Sequence, residues 1–278
     1  MKMNLNYDFF NASKLILLQH SRIEFWVVGM GGTGSWLATS VVRLACSLSN
    51  TGKEVQVTFV DHDVVEEANV LRQCFCYKEI GLLKAQTLAL RYSIAWGMEI
   101  KAITKRFHPK MVQAGYKTLS IIIGCVDNAS ARKSLSQVLK HNDYNSNQAP
   151  SIWYLDCGNS KSSGQVLLGS NLSNAPQDYS FGPLGCSQIP SPTIQHPELL
   201  VPLPEELEDN NLSCEQMVLL NTQSLSINQQ VAAVATDYLV QLTTGELKRF
   251  ATYFDSASTS MRSLYLTEES VFKAIQTL

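Results

Sequence analysis

The chain has 278 residues, 45% hydrophobic and 17% charged, with a net charge of −2. That is enough for one large domain with a well-buried core, and the composition excludes a disordered chain or a charged coiled coil. A near-neutral balance leaves no electrostatic footprint for nucleic acid, and no apolar stretch reaches the roughly 18 residues a membrane span needs.

The opening MKMNLNYDFFNASKLILLQHSR contains Asp8 and lacks a small-residue cleavage site, so no signal peptide is expected. Residues 24–29 read as a strand that runs into glycines, and residues 33–48 as a helix. A β-branched strand over 55–60 ends at Asp61. A helix over 84–96, an extended piece over 99–104 and a strongly apolar strand over 119–125 follow. Residues 129–141 are helical and 152–156 extended again. Strands alternating with helices predict an α/β fold with a doubly wound, mostly parallel sheet.

Seven of the nine prolines then fall between Pro176 and Pro204, so residues 171–212 are expected to be irregular. Long segments of this kind usually serve as lids or binding loops. Ser213 and Gln216 form a capping box that opens a helix running to about Leu242 and stopping at Gly245. Residues 247–254 and 261–267 read as a C-terminal antiparallel strand pair, followed by a short helix. Residues 1–278 are taken as a single domain crossed by the 171–212 segment.

Seven cysteines, at positions 46, 74, 76, 125, 157, 186 and 214, include no C-x-x-C pair. This argues against a disulfide framework and a four-cysteine zinc site, and free thiols fit a reducing cytoplasm. Charge is partitioned as well. From Ser162 to Leu247 there are nine acids and no Lys or Arg. That stretch reads either as a solvated face or as a corridor for a basic tail.

Gly29-Met30-Gly31-Gly32-Thr33-Gly34 lies between a predicted strand and a predicted helix. Glycines there let the backbone turn tightly against a phosphate, and the helix N-terminus adds unpaired N–H groups. By itself the motif fits a nicotinamide or flavin dinucleotide, ATP, or a packing turn. Its context is more informative. Asp61 ends the next strand and opens DHDVVEEANVLRQ, which supplies Asp63, Asn69, Arg72 and Gln73. Lys84 follows twelve residues after Arg72, and Asp127-Asn128 closes a later strand. Two cations suit a triphosphate better than a dinucleotide, and Asp127 at a strand's carboxyl end suits Mg²⁺.

The glycine motif, D-x-D-x-V-x-x-x-N-x-x-R-Q, the downstream lysine and C-x-D-N together resemble the ThiF/MoeB/ubiquitin-activating superfamily. The resemblance implies a Rossmann-like ATP-binding adenylation fold. Its reaction adenylates the C-terminal glycine of a small ubiquitin-like protein. It further implies Asp61 on the ribose, Asn69, Arg72 and Lys84 on the phosphates, and Asp127 on Mg²⁺. Asp63 and Gln73 complete the nucleotide motif beside Gly29, Gly31, Gly32 and Gly34.

Cys214 falls at the first position of the helix opened by Ser213, where the helix N-terminus favours a thiolate. Glu215 beside it opposes that effect. Within the superfamily a cysteine ahead of this helix can accept the activated acyl group as a thioester. Ser213-Cys214, with Gln223 and Asn228 downstream, is similar to the ThiF-family protein of PRTRC plasmid cassettes. Cys186, inside the proline-rich segment, is the second candidate. Cys46, Cys125 and Cys157 read as small buried hydrophobes.

The zinc-binding C-x-x-C pairs of ThiF and MoeB are absent here, so no zinc is expected. The basic R-x-x-R-Q segment that can act across a dimer is missing too, with Arg22 a weak substitute. The resemblance implies a homodimer and leaves transfer to a conjugating enzyme open. Rival readings are a sulfur-carrier adenylyltransferase, an NAD-binding oxidoreductase and a non-catalytic scaffold.

Overall fold

The computed structural model describes residues 7–70, 72–142, 149–175, 178–179, 181–202 and 225–276. Its framework is a single eight-stranded sheet. The chain enters through a short helix α1 (Tyr7–Asn11) and lays β1 (Arg22–Val28) in the interior of that sheet. Helix α2 (Gly32–Ser49) returns it to β2 (Glu54–Val60), which pairs parallel to β1. A loop bearing α3 (Glu67–Val70) and then α4 (Lys84–Trp96) lead to β3 (Ile100–Ile103) at the edge. The path then reverses. β4 (Thr118–Gly124) pairs on the other side of β1, and α5 (Ala129–Gln137) carries the chain to β5 (Ile152–Asn159). The expected doubly wound parallel sheet is therefore present, with its switch point between β1 and β4.

Strand register aligns the carboxyl ends of the three central strands. Val28 lies opposite Val60 on one side and Gly124 on the other, so β1, β2 and β4 end flush. Ligands of such sheets bind at the carboxyl ends of the strands where the winding reverses.

Alternation along each strand feeds two cores. Phe25 and Val27 face the α2 and α4 side with Ile121 and Ile123, while Trp26, Val28 and Ile122 face the α5 side. β4 is buried along its whole length, in keeping with the apolar run Ile121-Ile122-Ile123, which does not alternate. On α2, Leu37, Ala38, Val41, Val42 and Ala45 supply the buried stripe.

Beyond β5 the sheet becomes antiparallel. β6 (Ser163–Gly169) folds back on β5, and β9 (Arg249–Asp255) and β10 (Ser260–Tyr265) complete the edge. The C-terminal strand pair expected from sequence is thus present, but it extends the main sheet through β6. β6 itself carries little local signal, because glycines punctuate it. Those glycines are required by neighbours: a Cβ at Gly164 would stand 2.4 Å from the Phe254 ring, and one at Gly169 2.1 Å from the Pro190 carbonyl.

The proline-rich segment is more ordered than its composition suggests. It forms a hairpin of β7 (Phe181–Gly182) and β8 (Gly185–Cys186), then a short helix α6 (Pro192–Gln195). Backbone bonds from Cys186 N to Lys14 O and from Ile16 N to Cys186 O tie the hairpin to the N-terminal segment. Gln195 Nε2 donates to the carbonyls of Leu168 and Pro190. These long-range bonds anchor short regular pieces within the segment expected to be irregular over residues 171–212. Residues 203–212, with Ser213, Cys214 and Gln216, lie outside the described residues.

Helix α7 (Leu225–Thr244) packs on α2 and ends as expected at Gly245, whose φ of +73° suits a left-handed C-terminal position. The chain closes with α8 (Glu268–Gln276). Among the described residues no helix is long and apolar enough to cross a membrane.

Candidate nucleotide-binding site

The turn after β1 is built by close backbone approaches. Gly29 has φ +89°, donates its N–H to Val60 O at 2.9 Å, and would drive a Cβ to 2.5 Å from Cys125 O. A Cβ at Gly34 would stand 1.8 Å from Gly29 O, and one at Gly32 2.5 Å from Asn228 Oδ1. Three of the four glycines are therefore demanded by the protein's own packing. Gly31 differs: the nearest atom to its Cβ position is Gln73 Nε2, at 3.9 Å. Among the described residues no side chain caps α2, and this turn presents the positive end of the helix dipole.

Asp61, one residue past β2, is buried with both carboxylate oxygens engaged. Oδ2 accepts the Met30 N–H at 2.6 Å and Oδ1 the Asp63 N–H at 2.8 Å. Burial pushes its carboxyl above the usual range, opposed by the two N–H groups and by Lys84. The residue expected on a ribose is thus also the brace that holds the glycine turn against β2.

Lys84 opens α4 and is only 7% exposed. Its backbone N–H donates to Asp63 O at 2.9 Å. Its ammonium has one ion-pair partner among the described residues, the exposed Asp63, at 3.6 Å. The stem is packed into the fold while the ammonium, with three donors and one carboxylate at 3.6 Å, has donors to offer a ligand.

The Asn69–Gln73 segment is folded against α2. Asn69 is buried, and its Oδ1 accepts the Glu66 N–H while its carbonyl accepts from Arg72 and Gln73. In this structure its side chain shapes the turn. Trp36 Nε1 donates to Arg72 O at 3.2 Å, and Cys74 N donates to Ser35 Oγ at 2.9 Å. These bonds seat Arg72 and Gln73 beside the first turns of α2. Arg72 Nε donates to Ala68 O at 3.3 Å.

Asp127 follows β4 and is exposed at the start of α5. Asn128 Oδ1 caps that helix by accepting from Ala131 N, and Asn128 Nδ2 donates to Asp127 Oδ1 at 3.3 Å. Arg132 Nη2 fixes the same turn through Val126 O. Cys125 N donates to Val28 O, which brings the turn alongside Gly29. The structure thus gathers the glycine turn, Asp61, Asp63, Lys84, the Arg72–Gln73 segment and Asp127 around the flush ends of β1, β2 and β4.

A family model described as the ThiF family matches residues 2–168. The chain belongs to the ThiF family. Among solved structures it is similar to PaaA, with a TM-score of 0.53 and 17% identity, over 90% of this chain and 65% of that one. Escherichia coli MccB crystallised with ATP gives a TM-score of 0.53 at 14% identity, over 90% and 65%. The same enzyme with AMPCPP and MccA gives 0.55 at 13%, over 94% and 65%. These likenesses are of fold, and this chain spans about two thirds of the length of each. No curated protein matches it.

Within this ThiF-family chain the structure separates the cysteines. Cys186 is fully buried, its thiol donates to Gln188 O at 2.9 Å, and burial pushes its pKa up to about 11. That setting opposes a role as nucleophile. Cys157 is buried as expected, whereas Cys46 and Cys125 are partly exposed.

Two features near the site were not assigned from sequence. Asp156 on β5 is fully buried, and its Oδ1 accepts from Tyr154 Oη at 2.6 Å and Arg132 Nε at 3.3 Å. Through Arg132 it supports the turn that carries Asp127. Thr33, Asn159 and Asn228 form a second cluster behind Gly32. Thr33 lies in the glycine motif and Asn228 was noted from sequence, but their wide separation leaves no local signal that they meet.

Proposed function

We propose that this ThiF-family chain is an ATP-dependent adenylating enzyme that activates the C-terminal glycine of a small ubiquitin-like protein and then holds it as a thioester on Cys214. The observation that carries the adenylation step is Lys84: a side chain packed into the fold beside the carboxyl end of the sheet, whose ammonium has one ion-pair partner among the described residues, Asp63 at 3.6 Å. Its natural partner there is a phosphate oxygen. The family match and the MccB fold support the same reading.

In the first step the ubiquitin-like carboxylate attacks the α-phosphorus of ATP. A new acyl–phosphate bond forms, and the bond to the β-phosphate breaks to release pyrophosphate. Gly31 keeps the α2 N-terminus open to the phosphates, and Lys84 and Arg72 offset the charge on the departing group. Asp127, an exposed hard-oxygen donor fixed by Asn128, fits a Mg²⁺ ion, which would supply further charge neutralisation when bound. In the second step the Cys214 thiolate attacks the acyl carbon and AMP leaves. This reading takes the protein as a cytoplasmic homodimer.

The test has two parts. Mg²⁺–ATP should raise the unfolding temperature and NAD should not. A small protein ending in glycine should then drive exchange of labelled pyrophosphate into ATP. Stabilisation by NAD alone would sink the adenylation reading in favour of an oxidoreductase.

A further inference from the structure

Asn228 stands near the start of α7, 195 residues from the glycine turn it touches, and is 1% exposed. Its Oδ1 accepts from Asn159 Nδ2 at 2.6 Å and from Thr33 Oγ1 at 3.3 Å. In this orientation the carboxamide oxygen takes both donors. What remains is Nδ2, a buried donor without a hydrogen-bond partner among the described residues. Buried amide donors are rarely left unmade, and each such case calls for a missing acceptor.

The location of that donor is specific. A Cβ at Gly32 would stand 2.5 Å from Asn228 Oδ1 and 2.9 Å from Nδ2, so the carboxamide as a whole lies against the first residue of α2. An 18-residue helix concentrates its positive dipole end and unpaired N–H groups at that point. The neighbouring glycine faces a second carboxamide, with the donor Gln73 Nε2 the atom nearest the Gly31 Cβ position at 3.9 Å. Donors that converge at a helix N-terminus call for an acceptor, and one bearing negative charge best matches the dipole.

We infer that Asn228 is a phosphate-binding residue: its Nδ2 donates to the anion held at the N-terminus of α2. This rests on the adenylation reading, which makes that anion the phosphate chain of ATP. A neutral carboxamide suits the position, because it adds a donor to a buried wall without the desolvation cost of another ammonium. Thr33 and Asn159 act as positioning residues by fixing the orientation of the carboxamide. The arrangement also makes α7, which follows the segment carrying Cys214, part of the nucleotide site.

The experiment is ATP binding by isothermal titration on the full chain, with adenosine as the ligand lacking phosphate. Asn228→Asp is isosteric and keeps the oxygen that Asn159 and Thr33 need, while replacing the orphan donor by an acceptor. Asn228→Leu removes the donor without adding charge. Both are expected to weaken Mg²⁺–ATP about tenfold or more, a loss in the range for a hydrogen bond to a charged group, and to leave adenosine within about twofold. Thr33→Val, which removes a donor to Oδ1 but leaves Nδ2 in place, should lower the unfolding temperature with a smaller loss of ATP affinity. ATP binding within about twofold of wild type in Asn228→Asp overturns the assignment while leaving the adenylation reading intact. Failure of the wild type itself to bind ATP overturns both.

Discussion

Asp61 Oδ2 accepts the Met30 N–H at 2.6 Å, tying the end of β2 to the turn that follows β1. The other carboxylate oxygen accepts from Asp63 N, so one side chain braces both the glycine turn and the loop that leads to Lys84. Asp61→Asn can offer an oxygen to only one of those N–H groups. It is expected to lose about 1–3 kcal/mol of stability, measured by urea unfolding. The pH dependence has a definite sign. Burial raises the Asp61 carboxyl above its ordinary 3.8, so the folded state holds that proton more tightly than the unfolded chain. The stabilising contribution is complete below about pH 3.8 and is lost as pH rises through the raised folded value. The gap between wild type and Asp61→Asn should therefore be widest in acid and narrow toward neutrality. A gap that widens with rising pH would contradict this.

The glycines of the turn should divide by what surrounds them. Gly34→Ala would put a methyl group 1.8 Å from a carbonyl oxygen of the same turn and should cost about 3 kcal/mol or more. Gly31→Ala meets no protein atom nearer than 3.9 Å and should change stability by less than about 1 kcal/mol. Its methyl group would intrude on the ligand side, so ATP affinity should fall while the unfolding midpoint holds. Equal thermal losses in the two variants would remove the distinction.

Lys84→Met deletes an ammonium whose one ion-pair partner among the described residues is 3.6 Å away. Stability should change little, because the packed stem is replaced by an apolar chain of similar length and the lost ion pair is with an exposed carboxylate. Pyrophosphate exchange should fall by about a hundredfold or more, the scale of losing a charge-stabilising donor. Retained exchange would show that Lys84 does not touch the phosphates.

Cysteine reactivity offers a separate check. Cys76 is exposed and Cys186 is buried with its pKa raised to about 11, so iodoacetamide at mildly alkaline pH should modify Cys76 well ahead of Cys186 in the folded protein. Cys214→Ala should keep pyrophosphate exchange and lose the thiol-sensitive acyl adduct, whereas Cys186→Ala should keep both, read by mass spectrometry of the intact chain. An adduct that persists in Cys214→Ala would move the acceptor elsewhere.

Breaking the pair behind Asp127 should be expensive. Arg132→Met would leave the fully buried Asp156 without its cation, a change on the order of 3–5 kcal/mol in buried ion pairs. It would also release the Val126 carbonyl from Arg132, so exchange activity should fall even where the protein stays folded. Activity unchanged in a folded Arg132→Met protein would show that the Asp127 turn does not depend on it.

Local chemistry determined much of this protein. A strongly apolar run marks β4, glycines mark the turn after β1, and Gly245 ends α7, because each signal is written in neighbouring residues. The spacing of Asp61, Asp63, Arg72, Lys84 and Asp127 named the candidate site for the same reason. Other features were decided by contacts between distant segments. β6 is a strand because β5 and β9 pair with it, despite its glycines. Cys186 is an unsuitable nucleophile because the hairpin that carries it is sealed against the N-terminal segment. Asn228 meets Gly32 because α7 packs on α2, and hydrogen bonds across 195 residues leave no periodicity for a sequence to display.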